Sequence, residues 1–149
     1  MKLITTATAL AVALLLCSFD TPSTYSWRDT LDAIRQVETG GEPNDGVGAR
    51  GDSGNALGPY QIWSAYHFDA AERDKSLTSY QSCLTSKSYS EKVVRSYMNR
   101  YSRAALLRLE GGTGTLADVE RVARIHNGGP KGYSKTATLK YWRKVEGAL

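Results

Sequence analysis

Two carboxylates in this chain stand in settings that differ in the way acid–base chemistry requires. Trp27, Leu31 and Ile34 recur at spacings of four and three, one face of a helix, and position 38 is the next on that face. Glu38 is therefore expected on the inward side, in the last turn before Gly40-Gly41. Burial disfavours the charged form of a carboxyl, and the negative end of the helix dipole disfavours it again. A carboxylic acid that keeps its proton near neutral pH is what a general acid needs to protonate a leaving oxygen. Asp52 lies in Arg50-Gly-Asp-Ser-Gly-Asn55, where small polar neighbours let a carboxylate stay solvated and ionised. A protonated Glu beside an ionised Asp is the pair that glycoside hydrolysis uses. The plainer readings are a Glu at a fraying helix end and an Asp doing turn chemistry. Asp45, in a similar loop, rivals Asp52.

The elements that must position these groups read as short helices around one glycine-rich loop. Ser26-Trp-Arg-Asp29 is a capping-box start for the first helix. Seven glycines between Thr39 and Gly58, with no apolar period, give turn or hairpin chemistry. A helix is expected from Ser64 to about Glu72, and a polar loop over 79–90. A long helix then opens at Ser90-Glu91, with Val94, Tyr97, Met98, Tyr101 and Ala105 on one face, and stops at Gly111-Gly112. Thr115-Leu-Ala-Asp118 repeats the capping pattern before Val119, Val122 and Ile125. A last helix from about Lys135 to Val145 places Leu139, Trp142 and Val145 inward. The fold class is mostly α within an α+β frame, about five short helices with a small Gly-rich hairpin and a cleft.

The 149 residues suit one domain, and 41% hydrophobic with 23% charged residues excludes a disordered chain and a multi-span membrane protein. Met1-Lys2 followed by the uncharged, apolar run Leu3–Leu16 reads as a secretory signal, so residues 1–25 are assigned to signal and leader and 26–149 to the domain. Loss of Cys17 with the signal leaves Cys83 as the one thiol, hence an exported, extracellular protein without an internal disulfide. Two His and no His-x-x-x-His or Cys-x-x-Cys give no metal site, and no cofactor is expected. The net charge is +4, divided as −5 over 20–86 and +8 over 87–149. That division suits an anionic polymer as partner without demanding nucleic acid.

Taken in order, Glu38-Thr-Gly-Gly, the Asp52 loop, Gly58-Pro-Tyr-Gln-Ile62, Ala65-Tyr66, Ala123-Arg-Ile-His-Asn-Gly-Gly-Pro130 and Leu139-Lys-Tyr-Trp142 resemble the invertebrate-type lysozymes, the family that includes destabilase. The resemblance runs from about Ala33 to Val145. It implies a lysozyme-like fold with a cleft that cleaves the β-1,4 bond between N-acetylmuramic acid and N-acetylglucosamine in peptidoglycan. Glu38 matches the family's proton donor, and Asp52 its second carboxylate, nucleophile or stabiliser of the oxocarbenium ion. Tyr60, Gln61, Tyr66, His67, Tyr97, His126, Asn127, Gly128 and Gly129 match sugar-contact positions. Bottom-up, Tyr97 also suits the core, and His126 a satisfied core histidine. Members of the family are typically rich in disulfides, which this chain lacks. Asn55 stands where destabilase-like isopeptidases have a Ser, so that second activity is not expected. Peptidoglycan is the implied partner, with no nucleic acid, no membrane insertion after signal removal and a monomeric state. Two other classes stay open: a lytic transglycosylase using Glu38 alone, and a non-catalytic cationic wall binder or antimicrobial.

Overall fold

The structure, a computed structural model, describes residues 23–41 and 43–149. Most of the expected signal and leader, residues 1–22, lies outside the described residues. Helix α1 (Trp27–Thr39) starts on the capping box: Ser26 Oγ accepts from the Asp29 amide at 3.1 Å, and the Asp29 carboxylate accepts from the Ser26 amide at 2.8 Å. Those bonds hold the Asp29 carboxyl below the usual carboxylate range. Leu31 and Ile34 are buried, whereas Trp27 is only half-buried. The helix stops at Gly40, left-handed at φ 67°, whose amide donates to the Gln36 carbonyl.

The glycine-rich segment forms a small antiparallel sheet in the order β1 (Arg50–Gly51), β2 (Ala56–Leu57), β3 (Ile62–Trp63). Its second turn depends on Gly58, at φ 70°, where a Cβ would lie 1.8 Å from the Cys83 carbonyl oxygen. No other residue allows the turn to pack so closely on that loop. Strand β3 runs directly into α2 (Ser64–Arg73), followed by α3 (Ser82–Thr85), α4 (Lys87–Tyr101), α5 (Arg103–Glu110), α6 (Leu116–Gly128) and α7 (Leu139–Glu146).

The described residues thus hold seven α-helices rather than about five, for local reasons. The stretch 79–90, expected as loop, contains α3 and the first turn of α4. Its serines cap and back-bond instead of breaking the helix: Ser86 Oγ accepts from the Tyr89 amide, and Ser90 Oγ donates to the Cys83 and Ser86 carbonyls at 2.8 and 3.1 Å. The long helix expected from 90 to 110 is broken at Ser102 (φ −148°, ψ 39°) into α4 and α5. The last helix begins at Leu139, because 132–134 and 136–138 are 3₁₀ turns. Leu139 is consequently exposed, while Trp142 and Val145 are buried as expected.

Helix α6 is the central element, packed against α1, α4, α5 and α7, with Val119, Val122, Ala123 and Ile125 buried. Its Arg124 guanidinium is satisfied on every side: Nε donates to Thr138 Oγ1 at 2.9 Å, one terminal nitrogen to Glu120 at 2.6 Å and the other to the Lys135 carbonyl at 3.1 Å. These bonds fix the 3₁₀ turns that lead into α7. At the other end of α6, the Thr115–Asp118 capping box is present, and Asp118 also receives the Arg108 guanidinium. Arg108, together with the Thr115 bonds and against burial, holds the Asp118 carboxyl down to about 2. A carboxyl so lowered stabilises the fold above its unfolded value of about 4 and loses that contribution as pH falls toward about 2. Asp118→Asn is expected to cost about 1–2 kcal/mol at pH 7. Thermal unfolding of the two proteins should then converge between pH about 4 and about 2; a gap that persists at the acid end would remove Asp118 as its source.

Candidate active site

Glu38 and His126 meet where the C-terminal turns of α1 and α6 converge. His126 Nε2 lies 3.1 Å from the carbonyl oxygen of Tyr60 and 3.5 Å from Glu38 Oε1. A carbonyl only accepts, so the ring carries its proton on Nε2. Nδ1, 3.2 Å from the Tyr66 hydroxyl, is then the acceptor for that hydroxyl in the neutral ring. Glu38 Oε1 also accepts from the Tyr141 hydroxyl of α7 at 2.7 Å. Burial, and after it the Glu38 charge, pushes Tyr141 well above the ordinary tyrosine range; burial does the same for Tyr66, with Tyr97 and Glu38 adding to it. Both hydroxyls remain donors. The Glu38 side chain keeps 17% of its surface exposed and that of His126 keeps 4%, so the carboxyl opens to solvent on one side only.

That open side faces a recess of about 260 Å³ lined by Glu38, Asp52, Gln61, Trp63, His126 and Asn127. Asp52 reaches it from the turn between β1 and β2. Its carboxylate is exposed, with no ion-pair or hydrogen-bond partner among the described residues. The rival Asp45 is occupied elsewhere, 3.2 Å from both Arg35 and Lys87. The wall carrying Asp52 is strained: Asp52, Ser53 and Gln61 all have left-handed backbones, at φ 48°, 56° and 46°. Gln61 is held by a 2.9 Å bond from its Nε2 to the Gly58 carbonyl. Gly51 makes room for it, since a Cβ there would lie 2.0 Å from Gln61 Oε1.

A second recess, about 380 Å³, adjoins the first along Trp63, His126 and Asn127 and is lined further by Tyr66, Asp69, Tyr97 and Gly129. Tyr66 and Tyr97 stack with centroids 3.7 Å apart and planes at 15°. Together the two recesses make a groove with flat rings and amide groups beside two carboxyls. Among the described residues, no three His, Cys, Asp or Glu side chains gather as a metal site. Cys83 is buried outside the groove, its thiol pushed up to about 12 by desolvation.

The groove collects Glu38, Asp52, Gln61, Tyr66, Tyr97, His126, Asn127 and Gly129. It does not collect three residues expected there. The Tyr60 side chain is fully buried and donates to Glu91 at 3.1 Å, so only its carbonyl reaches the site, through His126. His67 turns into the core, where Nε2 pairs with the Tyr89 hydroxyl at 2.9 Å; burial lowers its tendency to protonate. Gly128 is pressed against Thr138 and its carbonyl accepts from Lys135 Nζ at 2.6 Å. Sequence reasoning missed Trp63 and Tyr141. Trp63 is 49% exposed beside the buried Ile62, a two-residue alternation that could have marked it as the outward ring of β3. Tyr141 lies one position from the inward Trp142, and no local signal ties it to Glu38.

Residues 28–148 match the Destabilase family model. Invertebrate-type lysozyme 6 of Caenorhabditis elegans is 35% identical over 130 residues, covering 83% of this chain and 88% of that protein. A lysozyme of Magallana gigas is 36% identical over 116 residues, covering 77% and 74%. The crystal structure of Tapes japonica lysozyme superposes with a TM-score of 0.61 at 29% identity, over 85% of this chain and 93% of that one; a chain of the complex of Aeromonas hydrophila PliI with Meretrix lusoria lysozyme gives the same values. The helix-rich α+β frame is thus lysozyme-like, and the chain belongs to the Destabilase family of invertebrate-type lysozymes, which are glycoside hydrolases.

The His126 arrangement is directly measurable. Nitrogen-15 NMR at a pH where the ring is neutral should show the Nε2–H tautomer. Tyr66→Phe should cost about 1 kcal/mol, the scale of one hydrogen bond removed. A dominant Nδ1–H ring in the native protein would contradict the Tyr60 carbonyl bond.

Proposed function

We propose that this protein is an exported muramidase that hydrolyses the β-1,4 bond between N-acetylmuramic acid and N-acetylglucosamine in bacterial peptidoglycan. The observation that carries this reading is the placement of Glu38 and Asp52, from two separate elements, on one groove with aromatic rings along it. Glu38 is the general acid. Tyr141 holds its Oε1 from inside the protein and His126 lies 3.5 Å from the same oxygen, leaving the rest of the carboxyl to meet the glycosidic oxygen. Asp52, exposed and without a partner among the described residues, faces the charge that develops on the sugar ring, as nucleophile or as stabiliser of the oxocarbenium ion. Trp63 offers a stacking face to pyranose rings, with Tyr66 beside it backed by the buried Tyr97, and Gln61 and Asn127 offer amides to their hydroxyls and acetamido groups. Export follows from the leading apolar segment; among the described residues no helix is long and apolar enough to cross a membrane.

Mass spectrometry of purified peptidoglycan after incubation with the protein tests this. New reducing sugar ends are expected. Glu38→Gln should abolish them while leaving glycan binding, and Asp52→Asn should slow turnover at least about a hundredfold, the scale of losing one principal electrostatic group. Anhydro ends with indifference to Asp52→Asn would mean a lytic transglycosylase. Intact glycan with protein bound would mean a wall-binding protein.

A further inference from the structure

The two oxygens of the Glu38 carboxyl stand in different surroundings. Oε1 accepts from the Tyr141 hydroxyl at 2.7 Å and lies 3.5 Å from His126 Nε2, the ring nitrogen whose hydrogen points to the Tyr60 carbonyl. Oε2 has no hydrogen-bond partner among the described residues and is not a buried atom, so it is the oxygen open to the recess that Glu38 shares with Asp52. The Tyr141 hydroxyl has no acceptor other than Glu38 among the described residues. Desolvation keeps the phenol protonated, so its hydrogen points at Oε1. A proton placed on Oε1 would crowd that hydrogen and the edge of the imidazole, whereas Oε2 has room for one. The hydroxyl is not needed for packing. Trp142 and Val145 anchor α7 in the core, and the Tyr141 ring packs on the edge of that core with or without its oxygen.

We propose that Tyr141 is a positioning residue for the general acid: its hydroxyl fixes the Glu38 carboxyl so that the transferable proton sits on Oε2, facing the scissile bond. This rests on the reading of Glu38 as proton donor. In the acid step the proton leaves Oε2 for the glycosidic oxygen as the bond from that oxygen to the anomeric carbon breaks, and the bonding pair stays with the leaving oxygen. The carboxyl becomes a carboxylate in the same step. The Tyr141 bond to Oε1 thereby changes from neutral to charge-assisted and strengthens as the transition state is reached, which lowers the barrier instead of only binding substrate. The nearest other donors are committed elsewhere. His126 gives its hydrogen to the Tyr60 carbonyl, and Tyr66 gives its hydrogen to His126 Nδ1, so neither replaces Tyr141 at Oε1.

The test compares Tyr141→Phe, which keeps the ring, with the native protein and with Glu38→Gln on two substrates. One is a soluble peptidoglycan glycan oligomer. The other is the same glycan carrying a dinitrophenyl group at its reducing end, which departs without needing a proton. On the oligomer, Tyr141→Phe should lower kcat about ten- to a hundredfold with KM unchanged, the scale of one hydrogen bond to a charged group. On the aryl glycoside, the losses caused by Tyr141→Phe and by Glu38→Gln should largely disappear in first-turnover release of dinitrophenolate. A Tyr141→Phe loss that is equal on the two substrates, or that falls on KM, would make the hydroxyl a merely structural group and overturn the proposal. Native kcat for Tyr141→Phe on the oligomer, with Glu38→Gln inactive, would overturn it while leaving Glu38 as the acid. Turnover of the oligomer by Glu38→Gln at the native rate would overturn the reading of Glu38 and the proposal with it.

Discussion

The imidazole of His126 joins the end of α6 to the turn that leads into β3. The bond from Nε2 to the Tyr60 carbonyl is buried, so leaving either group unpaired would incur a desolvation penalty rather than an exchange with water. It selects the tautomer, the tautomer makes Nδ1 an acceptor, and the acceptor fixes the Tyr66 hydroxyl and hence the ring that stacks on Tyr97. The carbonyl itself is held from behind. Tyr60 sends its side chain through the core to Glu91, which Arg28 grips from the surface at 2.6 Å. A residue with no side-chain contact to the groove thereby sets its geometry.

With Cys83 buried and free, no disulfide braces the described residues, and bonds from buried polar side chains to backbone carbonyls do that work. Ser96 ties α4 to α2 through the Ala70 carbonyl at 2.8 Å, Ser90 ties α4 to the Cys83 carbonyl, and Thr138 ties the segment before α7 to the Gly132 carbonyl at 2.8 Å. Arg124 completes the last of these. The Ala70 and Gly132 carbonyls already accept the Asp74 and Lys135 amides and take the hydroxyl as a second donor, so each such bond adds a tie between segments without a covalent link. The consequence reaches the site: α7 is placed by the turns that Arg124 and Thr138 fix, and Tyr141 reaches Glu38 from α7.

What could be read from the sequence was local. The capping boxes at Ser26 and Thr115 need only residues three apart, and the stripe Trp27, Leu31, Ile34 put Glu38 on the correct face because a helix carries its own period. The serines of 79–90 misled, since the same hydroxyls that favour loops also bond back into a helix when it is buried. Ser102 misled in the other direction: the apolar period runs through it unbroken, and the break is a tertiary choice made by where α5 packs on α6. His67 and Tyr60 sit in motifs whose neighbours line the groove, but residue adjacency does not say which way a side chain turns. Tyr141 was out of reach for the same reason, being joined to Glu38 across 103 positions.

The two carboxyls are distinguished less by their chemistry than by what the backbone does around them. Glu38 belongs to a regular helix and accepts from the Tyr141 hydroxyl of α7, with His126 of α6 at 3.5 Å, so its position is set by packing. Asp52 has no such partners; its position comes from a turn whose residues adopt left-handed backbones, with Gly51 cleared to admit Gln61. Strain of that kind persists only where surrounding structure over-determines it. Here the surroundings are the antiparallel pairs on either side and the Gln61 bond to Gly58. A side-chain partner would have fixed Asp52 at the expense of its free charge. Fixing it through the main chain leaves the carboxylate unsatisfied and facing the groove, which is the condition under which it can answer a charge that forms there.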